Sequence, residues 1–294
     1  MRVSTQQMVD TLLSGMQNQQ QTVATDTSQL SSGMRFTTAN QDPISYEKSL
    51  SIRDMQSGIT GSLSALDTAA SQLGMSQSVL SQMQPLLQRA QALAIQMSSA
   101  NSGTNSYASA LSEVKALQQQ FLSLSNQNWE GKPLYAGTNT GVSAAFTMDA
   151  VGNVTYNGNS QNQTIVVSPT QSVDLGANGS NTAFTQAFAA FKNFSGALSS
   201  NNVAAMQSSI TGFNNAIAAL NSLTAQVGGT LRSVNTQKAS YQNLQTQVAI
   251  SLSNNESADV AKTATQLNQA NVALQAIYSE LSKLGSISLV NYLK

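Results

Sequence analysis

The chain of 294 residues contains no cysteine and no histidine. Without cysteine it can form no disulfide, no thiolate nucleophile and no cysteine-ligated metal site. Without histidine it lacks the side chain that most often serves as an acid–base catalyst and as a metal ligand. We therefore predict a protein that is not an enzyme, with no catalytic residues, no cofactor and no metal site.

Charged and aromatic side chains are also scarce, at 9% and 5% of the residues, whereas about 25% of an ordinary domain is charged. The 13 basic and 13 acidic residues cancel and are thinly spread, so no basic stripe exists to neutralise phosphates or anionic lipids. No run of about 18 apolar residues is present, and residues 1–10 lack the pattern of a Sec-type signal peptide. We predict no nucleic-acid partner, no membrane partner and no cleaved Sec signal.

In place of charge, the chain has Ala, Leu and Val at helical spacing, separated by Gln, Ser, Asn and Thr. From Val3 to Leu30 the apolar residues occupy two core positions of a heptad, interrupted by Gln19 and Asp26. After a polar break at 254–259, where we expect a hinge or domain boundary, the last segment repeats this pattern. Such narrow stripes predict helices that each need a partner helix. The predicted assembly seam consists of Val9, Leu12, Met16, Val23, Leu30, Val260, Leu267, Leu274, Ile277, Leu281 and Leu284.

Each stripe has an ordinary alternative interpretation, namely packing inside a helical core of the same chain. We favour that interpretation for the helices between the two ends. For the terminal stripes we favour contacts between subunits, because their outer faces are nearly uncharged and little else in the chain is available to cover them.

The longest predicted helix begins at Asp42-Pro43. Asp is a good N-cap, and Pro suits the first helical position, where a missing N–H costs nothing. A heptad pattern then continues to Met97, with Pro85 as the conflict, and we expect a kink there. Helical spacing returns at Thr182 with a stripe of phenylalanines.

Between these helical parts, roughly from residue 129 to residue 179, Gly, Asn and Pro become frequent and apolar residues form short runs. The pieces Val151–Val154 and Tyr156–Asn159 carry the Gly and Asn residues of hairpin turns. We predict a small antiparallel β domain. Its predicted strands lie in the runs Ala144–Met148, Val151–Tyr156 and Thr164–Val167.

Asp149 and Asp174 in this region have no neighbouring ligand residues in the sequence. We interpret them as solvated loop carboxylates rather than a metal site or a glycosidase pair. Trp129, the only tryptophan, is interpreted as a packing anchor.

The predicted fold is mainly α: an elongated helical bundle or coiled coil with paired N- and C-terminal helices and a small inserted antiparallel β domain. The predicted segments are an N-terminal assembly helix (1–41), a helical body in two parts (42–135 and 181–254), an inserted β domain (136–180) and a C-terminal assembly helix (255–294).

Several motifs resemble a known family. They are Met1-Arg2-Val3-Ser4-Thr5, Leu30-Ser31-Ser32-Gly33-Met34-Arg35 ahead of Asp42-Pro43, Glu256-Ser257-Ala258-Asp259-Val260-Ala261, and the ending Ser288-Leu289-Val290-Asn291-Tyr292-Leu293-Lys294. Together they resemble the bacterial flagellin superfamily and, within it, the hook–filament junction proteins (the hook-associated protein 3 family). The resemblance covers both ends and most helices, and only loosely residues 136–180.

This resemblance implies a structural component of the bacterial flagellum at the junction between hook and filament, self-assembling through its terminal helices. The implied partners are identical subunits in a ring, a hook-side junction protein, flagellin, and an export chaperone on the C-terminal helix. The implied location is extracellular, on the flagellum, after export by the flagellar apparatus.

Two alternatives remain. One is a flagellin that forms the filament itself, although the Arg2-Val3-Ser4-Thr5 start and Gln41-Asp42-Pro43 depart from the usual flagellin pattern. The other, from a different class, is a secreted adhesin or binding protein that acts through the β insertion.

Overall fold

The structure is a computed structural model that describes residues 2–99 and 104–292. In these residues six helices alternate with short strands, so the predicted mainly α fold with a small antiparallel β insertion is confirmed. The helices are α1 (Arg2–Ser32), α2 (Pro43–Met97), α3 (Thr104–Ser125), α4 (Thr182–Ser199), α5 (Val203–Glu256) and α6 (Val260–Tyr292). The strands are β1 (Asn128–Trp129), β2 (Lys132–Pro133), β3 (Phe146–Met148), β4 (Val154–Tyr156), β5 (Thr164–Ser168) and β6 (Gln171–Asp174).

The chain forms two compact units. The terminal unit contains residues 1–57 and 245–294, and the central unit contains residues 58–244. Because α2 and α5 have residues in both units, the unit limits fall inside helices rather than at the polar breaks between helices. The finer division into five segments stays a prediction.

The start of α2 matches its prediction. Asp42 precedes the helix and its Oδ1 accepts the backbone N–H of Ser45 at 3.1 Å, while Pro43 is the first helical residue. Hydrogen bonds from the side chain and the backbone of Ser45, together with the nearby Arg35 guanidinium, lower the pKa of the Asp42 carboxyl. At the other predicted feature, Pro85, the helix neither ends nor restarts, and it continues to Met97.

Aromatic side chains dominate the core of the central unit. The phenylalanines of α4 recur every three or four residues, so they share one helix face, and all of them are buried. Phe188 lies 5.2 Å from Phe121 of α3, and Phe191 lies 5.5 Å from Phe213 of α5, measured between ring centroids. These edge-on contacts join three helices around one core.

The strands form three separate antiparallel pairs: β1 with β2, β3 with β4, and β5 with β6. Strands β3 and β4 lie within predicted runs and β5 extends one residue beyond its run, whereas β1, β2 and β6 were not predicted. The predicted turn at Val151–Val154 belongs to the β3–β4 hairpin, where Gly152 has a φ of +91°. The predicted hairpin turn at Tyr156–Asn159 is wrong: the backbone N–H of Asn159 bonds to Ala136 instead of closing a hairpin.

The isolated carboxylates Asp149 and Asp174 accept backbone hydrogen bonds within turns. Oδ1 of Asp149 accepts the backbone N–H groups of Val151 and Asn153 at 3.0 and 2.7 Å, and Oδ1 of Asp174 accepts that of Gly176 at 2.8 Å. The half-buried Trp129 packs against the central core, as predicted.

Candidate assembly site

The first and last helices, α1 and α6, pack against each other inside the terminal unit, and we call them the terminal pair. The carbonyl of Gly33 accepts the backbone N–H of Ala258 at 2.9 Å, and Nε2 of Gln20 donates to the Tyr278 hydroxyl at 3.2 Å. The end of α1 thus lies near the start of α6, whereas Gln20, earlier in α1, lies near Tyr278, later in α6, so the two helices run antiparallel. The sequence predicted paired termini from the two matching stripes.

Most residues of the predicted seam are buried to a similar degree. All but one have half-buried side chains, consistent with a two-helix contact that covers only one face of each helix. The exception is Val260, the first residue of α6, whose side chain is 58% exposed. The half-buried members are Val9, Leu12, Met16, Val23, Leu30, Leu267, Leu274, Ile277, Leu281 and Leu284. Their role in contacts between subunits stays a prediction.

Gly15 of α1 faces Ile277 of α6 within the terminal pair. A Cβ atom added to Gly15 would lie 3.8 Å from Cδ1 of Ile277, which is an ordinary van der Waals distance. The backbone of α1 therefore passes near a side chain of the opposite helix at this position. The sequence gives no sign of this contact, because a glycine inside a helical pattern does not reveal what faces it.

The ends of α1 and α5 are joined by backbone hydrogen bonds. α1 ends at Ser32, and Gly33 follows with a φ of +69°, a left-handed conformation that suits a helix C-terminus. Met34 then forms an antiparallel bridge with Ser257, and the N–H of Arg35 donates to the carbonyl of Glu256 at 2.6 Å. The polar break after α5 is thus paired to the loop after α1.

Side chains also join the first turns of α2 to the end of α5, and we call this contact region the α5 junction. The guanidinium of Arg53 forms a bidentate ion pair with Glu256, with Nη2 2.9 and 3.0 Å from the two carboxylate oxygens. The Glu256 hydrogen bonds raise the pKa of Arg53. Nδ2 of Asn255 donates to the Ser45 carbonyl and to the Ser49 hydroxyl, both at 2.8 Å. The sequence identified residues 254–259 only as a break, because long-range side-chain pairing leaves no periodic signal.

Exposed apolar side chains are concentrated in the terminal unit. Of the fourteen large hydrophobic residues that are most exposed in the described chain, ten belong to this smaller unit. They are Met8, Leu13, Met34, Ile44, Leu50, Met55, Ile250, Val260, Val272 and Tyr278. Apolar surface gathered in one part of a chain is typical of protein–protein contact.

The described residues contain no group of three or more side chains suited to hold a metal ion. Among the helices of the described chain, none combines the length and hydropathy that crossing a membrane would require.

Residues 3–140, which cover α2, α3 and all but the first residue of α1, match the bacterial flagellin N-terminal helical region. Over these residues, a little under half of the chain, this protein is similar to that flagellin region. Flagellar hook-associated protein 3 of Salmonella typhimurium is 26% identical over 180 residues, or 61% of this chain and 56% of that relative. The match thus spans little more than half the length of the curated relative.

Solved structures agree on the fold. FlgL from Bacillus cereus superposes with a TM-score of 0.61 at 17% identity, covering 69% of this chain and 99% of that one. The flagellar junction protein FlgL from Legionella pneumophila gives a TM-score of 0.55 at 11% identity, covering 71% and 99%. The resemblance to the flagellin superfamily, and within it to hook-associated protein 3, is confirmed.

Proposed function

We propose that this chain is a structural subunit of the bacterial flagellum, that it forms the junction between hook and filament, and that it assembles through its terminal helices. The observation that carries the proposal is the terminal unit: a paired α1 and α6 whose contact is half-buried, in the unit that holds most of the exposed apolar side chains. The similarity to hook-associated protein 3 and to a flagellar junction protein supports the same role.

The energetics favour association. Burying an exposed Leu, Ile or Val contributes about 1.5–3 kcal/mol, so several such residues must be covered together to offset the cost of association, about 4–15 kcal/mol. α1 carries only Arg2, Asp10 and Asp26 as charged residues along 31 positions. Few charges must lose their water when copies pack side by side.

The partners follow from this role. Identical subunits form a ring, a hook-side junction protein lies beneath the ring and flagellin lies above it. An export chaperone holds the C-terminal helix before secretion. The protein reaches the outer flagellum by the flagellar export route and has a structural rather than a catalytic function.

Deletion of residues 256–294 in the source bacterium tests the role. We expect the shortened protein to keep a folded central unit, because the buried cluster lies between Leu66 and Val234, while the cells shed flagellin into the medium. Normal filaments on such cells would refute the proposal.

A point substitution tests the same role and has a matched control. Leu274→Asp places a charge in the terminal pair, whereas Val151→Asp places one at an 82% exposed site of the central unit. We expect L274D to shed flagellin and V151D to swim normally, with both proteins exported to the same level.

A filament subunit is the second candidate, since the matched family region is that of flagellin. Purified protein added to filament seeds separates the two functions. Long filaments made of this chain alone would favour flagellin, and growth that stops after a short layer favours the junction.

A further inference from the structure

Asp26 is the one charged residue in the second half of α1, and its side chain is only 7% exposed. Its Oδ2 atom has no hydrogen-bond partner among the described residues. A buried carboxylate oxygen without a donor costs more free energy than a buried neutral group. The paired α1 and α6 of a single chain therefore contain one unfavourable site.

The position of Asp26 along the terminal pair explains why its own chain supplies no compensating charge. It lies between Gln20, which bonds to Tyr278, and Gly33, which bonds to Ala258, so it lies beside the first half of α6. The only cation on that stretch, Lys262, is exposed and makes no ion pair within the described chain.

Other parts of the terminal unit carry unused positive charge. Lys48 and Lys262 are both exposed, and neither forms an ion pair with a described residue. The arginines of this unit whose side chains are described, Arg35 and Arg53, are paired with Asp42 and Glu256. A second copy of the chain thus brings two free ammonium groups on the same unit that carries the exposed apolar residues.

One polar residue in an otherwise apolar heptad stripe can fix helix register and the number of helices that associate, at a cost in stability. We propose that Asp26 determines the specificity of subunit assembly: its carboxylate lacks a donor in the single chain and, when α1 and α6 repack against a second copy, receives the ammonium of that copy's Lys48 or Lys262. This inference rests on the proposed junction function and names the contact that directs it.

The test compares Asp26→Asn with Asp10→Asn in the full-length protein. Both changes remove one acidic charge from α1, but Asp10 is exposed. In dilute monomer we expect D26N to slow amide hydrogen exchange in α1 and the first half of α6 about tenfold, because an uncompensated buried charge is removed. D10N should exchange as the wild type does.

The second measurement is binding to hooks isolated from cells that lack this protein, followed by cross-linking of neighbouring copies. We expect D26N to bind about tenfold more weakly than D10N, and K48Q or K262Q to reproduce that loss, since a charge-assisted hydrogen bond disappears. D26N that exchanges like the wild type, or that binds hooks as D10N does, would overturn the role of Asp26. Wild-type protein that does not bind hooks at all contradicts the proposed function itself.

Discussion

At the scale of single residues, alanine substitutions at Gly15 and Gly33 should have opposite effects on the stability of α1. Gly15 lies inside the helix with room for a Cβ, whereas Gly33 has a φ of +69° at the helix C-terminus. Alanine at position 15 lowers the entropy lost on folding, so G15A should stabilise α1 by about 0.5–1 kcal/mol. Alanine at position 33 must adopt a left-handed conformation, so G33A should destabilise the same helix by about 1 kcal/mol.

Hydrogen exchange of the α1 amides measures both effects in one experiment. Equal exchange rates in G15A and G33A would show that the backbone conformation at Gly33 does not limit the helix. The sequence alone does not show whether position 15 tolerates a side chain, because that depends on Ile277 of α6.

Asp149 gives a pH-dependent prediction. The side chain and backbone of Asn153, followed by the backbone of Val151, donate to its carboxylate and lower its pKa below the ordinary value of 3.8. A lowered pKa in the folded state means that the contribution to stability is complete above about pH 4 and is lost as the pH falls through the folded pKa. The β3–β4 hairpin should therefore loosen in acid.

Chemical shifts of the Val151 and Asn153 amides, followed by NMR as the pH is lowered, check this. In Asp149→Asn the shifts should stay flat over the same range, because the titrating group is gone. A titration of the wild-type amides that is centred above pH 4 would contradict the structure.

Among secondary-structure elements, the junction of the α1–α2 loop with the end of α5 depends on Arg53 and Glu256. The Glu256 side chain is 12% exposed and that of Arg53 is 53% exposed. Removing the arginine leaves a largely buried carboxylate without its cation, whereas removing the glutamate leaves an arginine that water can solvate. R53A should therefore destabilise the junction more than E256A.

A double-mutant cycle measures the pair itself. We expect a coupling free energy of roughly 1 kcal/mol, read from hydrogen exchange of residues 33–36 and 255–258. Additive effects of R53A and E256A would mean that the ion pair contributes nothing, in which case Asn255 and the backbone bridge hold the junction.

The elements also show what local patterns can and cannot predict. The capping chemistry of Asp42-Pro43 and the heptads located α1, α2 and α6, because helix signals lie within a few residues of one another. Strands β1, β2 and β6 have two to four residues and little apolar alternation, so no pattern marked them. At Pro85 the helical assignment of α2 is continuous, so the lost hydrogen bond does not end the helix, and the kink expected there stays a prediction.

At the scale of the whole molecule, the two units differ in how they are stabilised. The continuous buried cluster runs from Leu66 to Val234 and lies entirely within the central unit. The terminal unit depends on half-buried seam residues, backbone bridges and ion pairs. The sequence predicted core packing for the helices between the ends and narrow stripes at both ends, but not how deeply each residue is buried, because burial depends on which helices meet.

Limited proteolysis of the dilute full-length protein should therefore trim both ends and leave a fragment that contains residues 58–244. Local opening controls cleavage when few apolar contacts must be broken, so the terminal unit opens first. Mass spectrometry defines the fragment, and fluorescence of Trp129, in the central unit, shows that the fragment remains folded. G15A should slow the trimming of α1 and G33A should speed it, since both act on the same opening. Cleavage inside residues 58–244 before either end is removed would mean that the terminal pair is as stable as the central core. The terminal helices of the free subunit would then be ordered before assembly.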